Sequence, residues 1–164
     1  MADIRATKWM KLVSNATTLV TTAILGTPMV EAAAIPEMRA FMLRSGQEAL
    51  DATVGLGNPV LPIFGLTPEA LAEPGREVET LLETLLGGFV MPDSKTTILQ
   101  DWIKGRRSEV DDINGLVVRT HRGLGGSAPA NEAVVELAHR IEAGELEPGI
   151  ANLEALLAEE AAGR

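Results

Sequence analysis

KWMKLVSNATTLVTTAILG, running from Lys8 to Gly26, is the stretch on which the fold turns. After Lys11 the next charged side chain is Glu31, although 23% of the 164 residues are charged. Trp9, Leu12, Val13, Ala16, Leu19, Val20, Ala23 and Ile24 recur at the spacing of one helix face. The positions between them hold Ser, Asn and Thr. That polarity argues for a buried helix of a soluble protein and against a membrane span of the same length. Lys11, Asn15, Thr18 and Thr22 fall on the opposite face, each about one turn from the last. A face that polar and that free of charge suggests a second surface covering it. A lysine with an amide one turn later suits an anionic or carbonyl ligand. An ammonium partly withdrawn from water also serves as a proton donor.

Outward from this helix, Gly26 and Pro28 stop it, and Pro36 is a good first-turn residue for the next. That second helix carries Met38, Phe41, Met42, Ala49 and Ala52 on one side and ends in the glycines of 55–57. An apolar loop, NPVLPIFGL (58–66), follows, and Thr67 caps a new start. REVETLLETLLGGF (76–89) is amphipathic. SKTTILQDWIKGRR (94–107) is expected to be capped by Asp93 or Ser94, and SEVDDINGLVVRTHRG (108–123) by Ser108. Pro129 and Asn131 prepare a helix with Val134, Leu137, Ala138 and Ile141 inward, and an acidic tail helix (150–162) closes the chain. Nothing alternates with the period of a strand, and there is no internal repeat. The expectation is an all-α, multi-helix fold of roughly seven helices, forming a single domain over 1–164.

Composition narrows the function. Acidic residues outnumber basic ones, 23 to 14, for a net charge of −9. That argues against nucleic acid and against an anionic membrane surface as partners. There is no cysteine and there are only two histidines, well apart, so no metal site is expected. The first eight residues are polar and lead to no cleavage signal, which makes a cytoplasmic protein the expectation. GLGGSA (123–128) fits the glycine pattern of a dinucleotide turn. It follows a predicted helix instead of a strand and runs into Pro129, so it reads as a helix exit and connector.

KWMKLVSNA (8–16), TTILQDWIKGRRSEVDDINGLVV (96–118) and GGSAPAN (125–131) together resemble the C-terminal domain of the ketopantoate reductase (2-dehydropantoate 2-reductase) family. The resemblance implies a helical domain like that of 6-phosphogluconate dehydrogenase-type reductases. In such enzymes a Rossmann domain binds NADPH and the helical domain forms the other wall of the cleft. Hydride passes to the keto carbon of ketopantoate, giving pantoate for coenzyme A synthesis. By resemblance, Lys11 matches the catalytic lysine that protonates the developing alkoxide. Asn15, Thr97 and Glu109 match substrate-binding positions, Glu109 as the anchor of the substrate hydroxyl. Leu19 stands where the family often has a second asparagine, and Thr97 replaces a serine. These departures leave the particular 2-keto acid open.

The family's Rossmann half has no counterpart in this sequence, and MADIRATKW resembles the approach to the second domain. The expectation is therefore that this chain binds no NADPH by itself and is inactive without an N-terminal Rossmann partner. A homodimer is expected from the uncovered cleft wall and the apolar loop. The competing expectation is a free-standing, non-catalytic helical module that binds a small carboxylate or mediates assembly. Asp101, Asn114 and Gly115 are assigned to structure, and His121 and His139 to no role.

Overall fold

The computed structural model describes residues 3–91 and 93–164; Met1, the start of the stretch likened to an inter-domain approach, lies outside them. The fold is all-α, with no strand among the described residues. Eight α-helices follow in order among the described residues: α1 (Ile4–Ile24), α2 (Met29–Ala34), α3 (Pro36–Gly55), α4 (Glu77–Thr84), α5 (Thr97–Ile103), α6 (Asn114–Gly123), α7 (Pro129–Glu142) and α8 (Asn152–Ala162). A 3-10 turn at Pro68–Leu71 and a π turn at Leu85–Phe89 complete the set.

α1 is the central element and packs against α2, α3, α4, α5 and α7. It begins earlier than its apolar stripe suggests, because the Asp3 carboxylate accepts from the Ala6 N–H at 3.1 Å and caps the first turn. It ends at Ile24, two residues before Gly26, whose φ of +67° favours glycine.

Thr18 and Thr22, expected on an outward polar face, are buried within the domain itself, as are Thr17 and Thr21. Each hydroxyl donates to the carbonyl four residues back: Thr17 to Val13 (2.7 Å), Thr18 to Ser14 (2.9 Å), Thr21 to Thr17 (2.7 Å) and Thr22 to Thr18 (2.7 Å). A helix enclosed on nearly all sides has no room for charge, but these side chains satisfy their own polar groups locally. The covering surface that the sequence called for is supplied, over this part of the helix, by the neighbouring helices.

Other boundaries also move. A short helix, α2, precedes Pro36, which opens α3 as expected. The cap of α5 is neither Asp93 nor Ser94 but Thr96, whose hydroxyl accepts from the Leu99 N–H. Ser108 does not begin a helix: residues 109–113 form a turn, and α6 starts at Asn114. The apolar 58–66 loop is not loose surface, since Val60, Leu61, Ile63, Phe64 and Leu66 pack partly buried against the core.

α1 and α3 approach closely at Gly46, where a Cβ would collide with the Thr17 hydroxyl and a Val78 methyl. The core they share includes Met10, Val13, Val20, Phe41, Met42, Leu82, Val134 and Leu137. No helix among the described residues is long and apolar enough to cross a membrane.

Candidate functional site

Along residues 11–24 of α1, only Lys11, Leu12, Asn15 and Leu19 retain accessible surface, Lys11 being exposed and the others half-buried. Lys11, Asn15 and Leu19 follow one another at four-residue intervals, so they form a single edge. The accessible edge therefore runs Lys11–Asn15–Leu19, and not Lys11–Asn15–Thr18–Thr22. Lys11 takes part in none of the ion pairs among the described residues.

Thr97 and Glu109 are carried by other elements. Thr97 is the first residue of α5, exposed, with the buried Ile98 and Leu99 holding that end of the helix on the core. α5 in turn packs on α1. Glu109 is exposed at the start of the 109–113 turn, followed by the fully buried Val110. That turn leads into Asn114, whose Nδ2 donates toward the Ala16 carbonyl at 3.4 Å, next to Asn15. The structure thus seats α5 and the start of α6 against α1. It shows no hydrogen bond joining the Lys11, Asn15, Thr97 and Glu109 side chains among the described residues.

Behind this face lies a buried polar knot. Asn114 Nδ2 donates to Asn131 Oδ1 at 2.9 Å, and Asn131 Nδ2 donates to the Ser45 carbonyl (3.0 Å) and to Glu48 Oε2 (2.8 Å). The Ser45 hydroxyl donates to the same Ala16 carbonyl at 2.9 Å. Asn114 thus has a structural role, joining α6 to α1 and α7.

The Glu48 carboxylate also accepts from the first-turn N–H groups of α7, Ala130 and Asn131, each at 2.9 Å. Burial pushes the Glu48 carboxyl above the usual carboxylate range, against the pull of these donors. Glu48 settles the nature of GLGGSA as well. The helix that follows this stretch has its N-terminal amides occupied by an internal carboxylate, where a dinucleotide turn would present them to a pyrophosphate. The Ala130 and Asn131 amides are thus already taken.

The histidines are less idle than expected. His121 Nε2 lies 2.7 Å from the Glu48 carbonyl oxygen, and His139 Nε2 lies 2.9 Å from Asp111 Oδ1.

Glu48 and Glu142 are the residues that sequence reasoning missed. Glu142 accepts at one oxygen from Trp102 and twice from Ser108. Neither stands out in sequence, because each lies in an ordinary amphipathic helix and its partners are distant in the chain.

Three comparisons bear on this arrangement. Residues 3–142 match the family described as ketopantoate reductase PanE/ApbA C terminal. The chain is 28% identical over 143 residues to a 2-dehydropantoate 2-reductase of Pyrobaculum aerophilum, covering 82% of this chain and 43% of that protein. Among solved structures, a PanE/ApbA family ketopantoate reductase from Ralstonia eutropha superposes with a TM-score of 0.73 at 26% identity, covering 88% of this chain and 43% of that one. A dimeric ketopantoate reductase from Staphylococcus aureus gives 0.64 at 21% identity, over 89% and 46%, which is a likeness of fold.

The chain spans less than half the length of the relatives it matches. It belongs to the ketopantoate reductase C-terminal domain family.

Proposed function

We propose that this chain is the single helical, substrate-binding domain of a ketopantoate-reductase-like, NADPH-dependent oxidoreductase that converts a 2-keto acid to a 2-hydroxy acid. The observation that carries the reading is the Lys11–Asn15 edge. Along residues 11–24 of α1 it is the accessible polar pair, and it lies in the KWMKLVSNA stretch that resembles the family. NADPH, held by a separate dinucleotide-binding domain, would supply the hydride.

What this chain's residues do follows from their chemistry. The Lys11 ammonium donates a proton to the oxygen of the former keto group as charge develops there, and recovers it from solvent. Asn15, one turn on, donates its amide N–H to the substrate and fixes its orientation. The Thr97 hydroxyl and the Glu109 carboxylate bind the substrate from α5 and the 109–113 turn, Glu109 accepting from its hydroxyl. Lys11 is exposed in the chain by itself. Closing a second domain over it removes water and strengthens each of these contacts. Leu19 makes the far end of this edge apolar, so a 2-keto acid other than ketopantoate is compatible with it.

A homodimer is the assembly we favour. Phe89 and Met91, 58% and 72% exposed, offer apolar surface beside Phe64, whose ring centre is 5.3 Å from that of Phe89.

The test is complementation. The chain is mixed with, and separately fused to, a dinucleotide-binding domain of the family, and NADPH oxidation is followed with ketopantoate and a panel of 2-keto acids. Turnover that needs both parts supports the proposal. A folded fusion that oxidises NADPH with none of the panel sinks it and leaves a non-catalytic module.

A further inference from the structure

Glu142 is the last residue of α7 and has no part in the chemistry just described. Its Oε1 accepts from the Ser108 N–H at 2.8 Å, the Ser108 hydroxyl at 2.6 Å and the Trp102 indole N–H at 3.1 Å. Trp102 belongs to α5, the helix that Thr97 opens, and Ser108 directly precedes Glu109. On the other side of Glu109, Val110 is fully buried and its N–H lies 3.4 Å from the Ser108 hydroxyl oxygen. The Glu109 side chain is exposed and hydrogen-bonds to no described residue, so its direction is set by the backbone on either side.

We infer that Glu142 is a positioning residue for the substrate site: its one carboxylate oxygen clamps Trp102 and Ser108 and so fixes the Glu109 turn against the helix that carries Thr97. The inference rests on the reading of Glu109 and Thr97 as substrate contacts. Its chemistry is that of a carboxylate. Three donors converging on one oxygen are best met by a full negative charge, and charge-assisted bonds of this length are the strong ones. Partial burial opposes ionisation of Glu142, but the Ser108 hydroxyl, the Ser108 N–H and the Trp102 N–H outweigh it and hold the carboxyl below the usual range. Glu142 is therefore ionised at neutral pH, the state in which it accepts from all three.

Two measurements test this. The first is hydrogen exchange on the chain alone. Glu142→Ala is expected to speed amide exchange at Ser108 and Val110 about tenfold or more, with the protection of α1 and α3 unchanged. Ser108→Ala, which keeps the carboxylate and the backbone donor, is expected to give a smaller increase and serves if Glu142→Ala does not fold. The second is steady-state kinetics in the fused reductase. Glu142→Ala is expected to raise KM for the keto acid about tenfold with kcat changed less than about threefold, and Glu142→Gln, which keeps one acceptor, to lie between. Unchanged exchange in folded Glu142→Ala and Ser108→Ala overturns the clamp. Faster exchange with an unchanged KM overturns its role in the site. A wild-type fusion that turns over no keto acid overturns the functional reading instead, and the exchange arm still decides the clamp.

Discussion

Asn131 is fully enclosed, and its side chain joins three other helices: it donates to Ser45 and Glu48 of α3, accepts from Asn114 of α6, and through Asn114 reaches Ala16 of α1. Asn131→Ala would leave the Asn114 amide with only its long contact to Ala16 and would take one donor from the half-buried Glu48 carboxylate. Each buried polar group stranded in this way costs about 1–3 kcal/mol. The variant is expected to lose more than about 2 kcal/mol of unfolding free energy in urea titration. A loss under about 0.5 kcal/mol, the range of neutral surface changes, would show that the knot is not holding the helices together. Lys11 sits at the other extreme, exposed and in no ion pair among the described residues, so its removal leaves the fold alone. In the fused reductase Lys11→Ala is expected to lower kcat about 10²-fold or more while NADPH affinity stays near wild type. Equal turnover would remove Lys11 from the chemistry. The contrast shows which residues the sequence discloses. Lys11 and Asn15 are legible because they are one turn apart on one helix. Glu48 is not, because its role exists only once residues 130 and 131 have been brought to it.

α1 shows how far element-level reading goes. Its helical period was plain, and so was the absence of charge. The enclosure of Thr18 and Thr22 was not, because a threonine facing solvent and one bonded back to its own helix leave the same sequence pattern. The displaced starts of α5 and α6 have a related cause. Several Ser, Thr and Asp residues in a row each qualify as a cap, and packing selects among them; Ser108 is taken by Glu142 and Thr96 is left to cap. The docking of α8 is another matter that periodicity cannot show. Arg44 of α3 grips Glu160 of α8 with two bonds, of 2.6 and 2.7 Å, and Glu160 also receives Arg164 at 3.0 Å. Burial opposes ionisation of Glu160, but these two guanidinium groups outweigh it and lower its carboxyl below the usual range. A carboxyl lowered on folding stabilises the fold above its unfolded value, about 4.3. That stabilisation is lost as pH falls through the lower folded value. Thermal melts from pH 7 downward should therefore drop more steeply below about pH 4 in the wild type than in Glu160→Gln. Parallel acid limbs would mean that the pair contributes nothing to stability.

At the scale of the whole chain, the family match stops at residue 142, yet the core does not. Beyond that point the Gly149 N–H and the Asn152 Nδ2 both donate to the Ile24 carbonyl at 3.0 Å, closing the C-terminal end of α1. Leu156 is fully buried in the common core, and Glu160 anchors the last turn of α8 to α3. The tail helix thus holds the far end of the helix whose near part presents Lys11 and Asn15. Ending the chain at Ala143 would take Leu156 out of the core, leave the Ile24 carbonyl short of two donors and strip Arg44 of its partner. Burial of one leucine alone contributes roughly 2–3 kcal/mol. With the lost hydrogen bonds and ion pair added, the truncated chain is expected to melt on the order of 10 °C lower by circular dichroism. In the fused reductase its kcat at a temperature well below the melt should fall less than its stability, because Lys11 and Asn15 lie more than two turns of α1 away from Ile24. A truncated chain that melts with the intact one would make α8 an appendage. One that stays folded but loses kcat as fully as Lys11→Ala would mean that the tail acts on the site directly.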